Sequence, residues 1–267
     1  MTVNVAIPRT GRFSIGRVLR DSVGILLRNL VLFVGVAVAV RLITLFAPSP
    51  DHPQSSQEID WVAFAIASAL GWISFGLTEA GIVFGTLQTL RGRKATISDS
   101  LRGLRFAIPV ILAGVICGLL FEVSDVIDLL LPDKDMDLLS SAIAIGALVL
   151  FVSWWPYPAV IVIEGKGVLA GLRRSAQLTK GRRWPILGLL VVTVIATLAP
   201  SFLVSSFGDG TVWGMLSERS TTIASSVEFL VDSLETAFFA VMATVSYHDL
   251  RSECEVVGFE DVVEVFD

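Results

Sequence analysis

A chain of 267 residues that is 54% hydrophobic and only 17% charged has a mean hydropathy of +0.75. A water-soluble fold of this length cannot withdraw so much apolar surface, so lipid must cover part of it. The formal net charge of −5 conceals a strict sorting of charge by region.

In chain order, residues 1–8 lack the layout of a cleavable signal, and the apolar run that follows is too long for a signal core, so the expectation is an uncleaved N-terminus. Ser14 is a plausible N-cap for a helix in which Ile15, Val18, Leu19 and Val23 recur at helical spacing while Arg17, Arg20 and Arg28 lie elsewhere on the wheel. That segment is expected to lie in the membrane interface. Apolar stretches then recur near 27–46, 61–87, 108–127, 139–163, 185–204 and 229–247. Each is about the 20 residues that a helix needs to cross ~30 Å of hydrocarbon. The expected fold is therefore all-α, a polytopic membrane bundle of six transmembrane helices. Pro48, Pro50 and Pro53 end the first stretch, Pro132 the third, and Gly208-Asp209-Gly210 the fifth.

Lysine and arginine set the orientation. Arg9, Arg12, Arg17, Arg20 and Arg28 precede the first span, and Arg91, Arg93, Lys94, Arg102 and Arg105 join the second to the third. Lys166, Arg173, Arg174, Lys180, Arg182 and Arg183 join the fourth to the fifth, whereas the opposite loops carry only Lys134 and Arg219. Such asymmetry predicts a multi-pass protein of the cell membrane with both termini cytoplasmic.

Each basic segment contains a Leu-Arg step (Leu19-Arg20, Leu101-Arg102, Leu172-Arg173) before an odd-numbered span, and the middle one opens on Thr96-Ile-Ser-Asp99, a capping box. The pattern predicts three units, about 12–90, 95–164 and 166–248. Each would pair a basic amphipathic interfacial helix with a two-span hairpin within a membrane domain of residues 1–252. Any basic loop between spans would share some of this pattern. Residues 253–267 form an acidic tail with Glu253, Glu255, Glu260, Asp261, Glu264 and Asp267. Its Phe259, Val262, Val263 and Phe266 have the spacing of a short amphipathic helix, expected to dock on the Arg173/Arg174/Arg182/Arg183 loop.

Ionisable residues inside spans are costly and single themselves out. Glu79 lies in the second span; Glu228, Asp232 and Glu235 follow i, i+4, i+7 along the sixth; Arg41 stands near the outer end of the first. They could line a polar cavity with Arg41 as counter-ion. Alternatively the sixth span begins later, Glu228 and Asp232 sit among headgroups and Arg41 snorkels outward. Pro156 and Pro158 should break the fourth span, either to line a cavity or to make a packing bend. Gly165, Gly167 and Gly171 do not have GxGxxG spacing and follow no strand. The Gly81/Gly85 and Gly114/Gly118 pairs suit close helix packing.

The chain contains no HExxH, GxSxG or P-loop, so no catalytic residue is expected. Cys117 and Cys254 form no CxxC, and His52 and His248 fall at opposite faces of the threading. Neither a disulfide framework, a metal nor a cofactor is expected. The bases hug membrane entry points, which favours anionic phospholipid over nucleic acid as partner. The headgroup candidates are Arg17, Arg20, Arg102, Arg105, Arg173, Arg174, Arg182 and Arg183.

The stretch Val160-Ile-Val-Ile-Glu164-Gly, Leu172-Arg-Arg-Ser175, Leu178-Thr-Lys-Gly181 and Arg183-Trp184 resembles the glycerophosphoryl diester phosphodiesterase membrane-domain family. Phe13-Ser-Ile-Gly16 and Tyr247-His-Asp-Leu-Arg251 extend the resemblance along the whole chain. It implies a membrane module, in a bacterial inner membrane, without the histidines and metal-binding acids of the phosphodiesterase domain. Two functions follow as expectations: a non-enzymatic module that binds anionic lipid and organises membrane protein partners, or a small transporter or channel for a polar or lipid-derived solute.

Overall fold

The computed structural model describes residues 13–46, 61–130, 137–208 and 213–264; side chains at 61, 121–122, 124–138, 197–228 and 255–264 lie outside the description. Every regular element among the described residues is helical: α1 (Ile15–Arg28), α2 (Leu30–Arg41), α3 (Trp61–Leu90), α4 (Ile97–Gly103), α5 (Ala107–Leu130), α6 (Asp137–Trp154), α7 (Tyr157–Glu164), α8 (Val168–Leu178), α9 (Arg183–Gly208) and α10 (Trp213–Glu264). The chain is a multi-pass helical membrane protein. Four stretches are long and apolar enough to cross a bilayer: Val62–Leu90, Ile97–Leu120, Leu139–Glu164 and Phe229–Cys254. The bent pair α1–α2 brings the number to five, and α9 offers only the shorter apolar run Arg183–Ala196. That is one fewer than the six spans expected, because much of the fifth expected span falls where side chains are not described.

The N-terminal helices turn a corner. α1 buries Val18, Ser22, Ile25 and Leu26, while Val23, expected on the apolar face, is exposed. After Arg28 the axis bends by 84° into α2. Asn29 sits at the corner and is buried there. Its Nδ2 donates to the Ile25 carbonyl and to Thr89 Oγ1, each at 3.0 Å, and its Oδ1 accepts the Ala95 N–H at 3.2 Å. One amide thus ties α1 to the end of α3 and to the chain entering α4. The expected capping box is present at α4, where the Thr96 N–H donates to the Asp99 carboxylate at 2.9 Å.

The fourth span is broken as its prolines require. α6 ends at Trp154, Pro156 caps α7, and Pro158 occupies the first turn of α7, where a missing N–H costs nothing. α7 then closes on Gly165 at φ +65°, a left-handed conformation that L side chains resist.

α3 and α10 form the centre. α3 packs against α2, α4, α5, α7 and α10, and the shared core includes Ile82, Val83, Val160, Ile161, Val241 and Met242. Small residues permit the close approaches, among them Ala80, Ala237, Ala240 and Ala243. A Cβ on Gly118 would enter the Trp72 ring, and one on Gly85 would meet Phe33 at 2.8 Å, which gives the glycine pairs their packing role.

Two boundaries differ from the sequence reading. α10 begins at Trp213, ahead of the expected start of the sixth span, and runs unbroken to Glu264. The acidic tail therefore continues α10 and does not form a separate helix after Tyr247, because no glycine or proline stands between Ala237 and Glu253 to stop the helix.

Candidate functional site

The polar residues gather at two places about 25 Å apart along α10, the rise of the helix from Asp232 to Asp249. At the later of these, side chains of α10 collect the basic segments. Arg17 Nε and Nη2 both lie 3.0 Å from Asp249 Oδ2. Glu164, at the end of α7, takes Arg174 Nε at 3.3 Å and Lys166 Nζ at 3.5 Å, and accepts the Tyr247 hydroxyl at 3.1 Å. Arg251 Nη1 in turn donates to the Tyr247 oxygen at 2.9 Å. Glu253 bridges the Arg182 guanidinium and the Phe13 N–H, the latter at 3.3 Å. Hydrogen bonding to Glu253 raises the Arg182 pKa against a weaker desolvation effect, so this guanidinium is held as a cation.

Three of the headgroup candidates are thus occupied: Arg17 and Arg182 hold α1 and the chain entering α9 to α10, and Arg174 holds α8 to Glu164 of α7, which meets α10 through Tyr247. The others face outward. Arg105, Arg173 and Arg183 are exposed and form no ion pair among the described residues. Arg20 and Arg102 are exposed with only distant carboxylates, Asp21 at 3.8 Å and Asp99 at 3.7 Å. Bulky apolar side chains share these faces: Leu169 one turn before Arg173, 76% exposed; Trp184 beside Arg183, 82% exposed; Ile108 three residues after Arg105, 73% exposed. A cavity of about 300 Å³ opens at the same face, lined by Leu178, Lys180, Arg182, Leu250, Glu253 and Cys254.

The second place is a cavity of about 320 Å³ between α2, α3 and α10. Ala37, Ala67 and Gly71 leave it open, and Arg41, Thr44, Ser74, Thr78, Ser233 and Thr236 give it a polar wall. Arg41 Nη2 lies 2.5 Å from Asp232 Oδ2, and the guanidinium stands 5.7 Å from the centre of the Phe229 ring. Arg41 Nε is buried with no hydrogen-bond partner.

Of the four acids expected inside spans, only Asp232 meets Arg41. Glu235 is half-buried and forms no ion pair among the described residues, and the side chain of Glu228 lies outside them. Glu79 is 2% exposed and is not among the residues that line the cavity; it lies within electrostatic reach of the Tyr157 hydroxyl. Its Oε2 and the Tyr157 oxygen are both buried without a hydrogen-bond partner. Asn29 escaped sequence reasoning, since it sits at a helix end where polar residues are ordinary; Glu164, Tyr247 and Asp249 entered only within the motifs of the family resemblance, with no role as partners of the basic segments. No group of three His, Cys, Asp or Glu could hold a metal among the described residues.

Comparison with known proteins gives one family: the profile of DUF7847, described as a domain of unknown function, matches residues 13–250. No curated protein matches the chain. No solved structure matches it either.

Proposed function

The chain belongs to the DUF7847 family, and we propose that it is a non-enzymatic membrane module that binds anionic lipid at its basic face and organises membrane protein partners there. The observation that carries this reading is the placement of exposed cations beside exposed apolar side chains along the basic segments. Leu169 with Arg173, Ile108 with Arg105, and Trp184 with Arg183 each set a bulky apolar group beside a guanidinium. That is the composition of an interfacial surface, apolar side chains among acyl chains and cations among phosphates. Each such cation contributes roughly 1 kcal/mol beside an anionic leaflet before screening. In this reading the basic face and both termini are cytoplasmic, in a cell inner membrane. The cavity bounded by Lys180 opens at the same face, beside the Arg182–Glu253 pair. The motif around Glu164 supports kinship with the glycerophosphoryl diester phosphodiesterase membrane domain, and no residue is assigned a catalytic role.

Ion pairing separates the residues that hold the fold from those offered to lipid, so the test uses the latter. The triple variant Arg105→Gln, Arg173→Gln, Arg183→Gln should insert and unfold like the parent while losing at least half of its co-purified phosphatidylglycerol or cardiolipin. The remaining retention should weaken with salt as the Debye length falls below ~10 Å. A variant that unfolds normally and keeps the parent's lipid complement would overturn the proposal.

A second reading, a small transporter or channel for a polar or lipid-derived solute, draws on the cavity beside Arg41 and Asp232. Uptake of solute into vesicles that hold the purified chain, abolished by filling the cavity with Gly71→Leu, is its test.

A further inference from the structure

We infer that the corner where α1 turns into α2 carries a headgroup site for a lipid with two linked phosphates, built from Arg28, Arg91, Arg93 and Lys94. The side-chain amide of Asn29 brings these residues together. It donates to Thr89 Oγ1 at 3.0 Å and accepts the Ala95 N–H at 3.2 Å. The residue after Arg28 thus holds both ends of the loop that carries the other three cations. By standard bond lengths the Cα atoms of Arg28 and Lys94 then lie no more than about 13 Å apart, a gap that their long side chains bridge.

The loop itself has a fixed shape. The Arg93 N–H donates back to the Gln88 carbonyl at 2.9 Å and the Gly92 N–H to the Thr89 carbonyl at 3.0 Å, with Gly92 at φ +80°. Those two bonds and the left-handed glycine close α3 as a Schellman motif. Ala95, at the other end, is seated on α3: a Cβ on Gly85 would come within 3.1 Å of its methyl group.

All four cations are exposed, and none forms an ion pair among the described residues. Elsewhere at this end of the bundle carboxylates answer the bases: Asp249 takes Arg17, Glu164 takes Arg174 and Lys166, and Glu253 takes Arg182. At the corner three cations fall within four residues and a fourth is held beside them, so their mutual repulsion is relieved only by anions from outside the chain.

Place decides the class of anion. Arg91 directly follows the span Val62–Leu90, and Leu27 and Val31, on either side of Arg28, are 64% and 90% exposed. Cations at the end of a span, beside apolar side chains open to acyl chains, fit a phospholipid better than a soluble acidic peptide. One phosphodiester would neutralise one of the four. Two phosphates on one headgroup neutralise two at the entropic cost of a single association. Cardiolipin has that chemistry. The site shares no residue with the Arg105, Arg173 and Arg183 surface, and it rests on the anionic-lipid reading only in setting this end of the bundle at an anionic leaflet.

Native mass spectrometry of the full chain, delipidated in detergent and titrated with one lipid at a time, tests the inference. The first cardiolipin should bind at least about ten times more tightly than the first phosphatidylglycerol, because linkage makes the second phosphate contact intramolecular. Arg91→Gln with Arg93→Gln, both on an exposed turn, should cut that preference to about threefold or less. If this variant does not insert, Arg28→Gln serves in its place and should at least halve the preference. The triple variant at Arg105, Arg173 and Arg183 should lose phosphatidylglycerol yet keep the preference for cardiolipin, so the two readings fail separately. Equal binding of the two lipids by the parent, a full preference in the corner variants, or loss of the preference in the triple variant would overturn the site.

Discussion

Arg41 and Asp232 constrain the bundle at its less basic end, since they join α2 to α10 across 191 positions of sequence. About a third of each side chain is exposed, so their pair lies between a surface pair of under ~1 kcal/mol and a buried one whose disruption costs ~3–5 kcal/mol. Arg41→Ala should therefore lower stability by about 1–2 kcal/mol. Asp232→Asn should do the same, and the double variant should cost less than the two together. Additive losses, or none, would place Arg41 in the headgroups without Asp232. Glu79 should behave differently. No charged partner stands opposite it among the described residues, so Glu79→Gln keeps the shape and removes only an ionisable proton. Its Tm should stay within a degree or two of the parent, and a large drop would show that the fold uses the charge. The sequence placed Arg41 near the outer end of the first span and Asp232 on the sixth. It could not choose among Glu79, Asp232 and Glu235 as partner, because that choice depends on how α3 and α10 are rotated about their axes.

Among the elements, helix breaks marked by proline were legible and the one marked by asparagine was not. Pro156 and Pro158 announce the α6–α7 break by removing backbone donors. The 84° corner between α1 and α2 has no such sign, since the groups that hold Asn29 in place, Thr89 and Ala95, lie at least 60 positions further on. Asn29→Ala leaves the Ala95 N–H without its partner, while Thr89 keeps its bond to the Gly85 carbonyl, and should cost about 1–3 kcal/mol. Loss of the α1 position would also be visible as new protease cleavage between α1 and α2. Glycines give a sharper contrast. Gly24 in the middle of α1 has nothing within 4 Å of a built Cβ, whereas a Cβ on Gly103 would collide with the Ala80 carbonyl of α3. Gly24→Ala should be neutral or add about 0.5–1 kcal/mol through helix propensity. Gly103→Ala should lower Tm by separating α4 from α3, and a tolerant Gly103 would mean that α4 is not seated on α3 in the membrane.

Across the whole molecule, charge is arranged as two belts. From Asp232, paired with Arg41, to Glu253, paired with Arg182, α10 climbs about 31 Å, the thickness of a hydrocarbon core. The belts differ in sign balance. One is a single neutral pair beside a cavity; the other carries the Arg17, Arg174 and Arg182 pairs plus the exposed Arg20, Arg102, Arg105, Arg173 and Arg183. An excess of cations at one boundary is what fixes orientation at insertion, so the basic belt should be cytoplasmic. The chain supplies its own reporter: Cys254 is exposed at the basic belt, while Cys117 is buried in the bundle. A membrane-impermeant maleimide should leave Cys254 unlabelled in intact cells and label it once the membrane is opened. Single cysteines placed within 51–57 or 209–218, in a Cys254→Ser background, should label in intact cells without permeabilisation. Labelling of Cys254 from outside, with the 51–57 positions protected, would reverse the orientation, and the basic belt would then face the leaflet opposite to the one its charges are expected to seek.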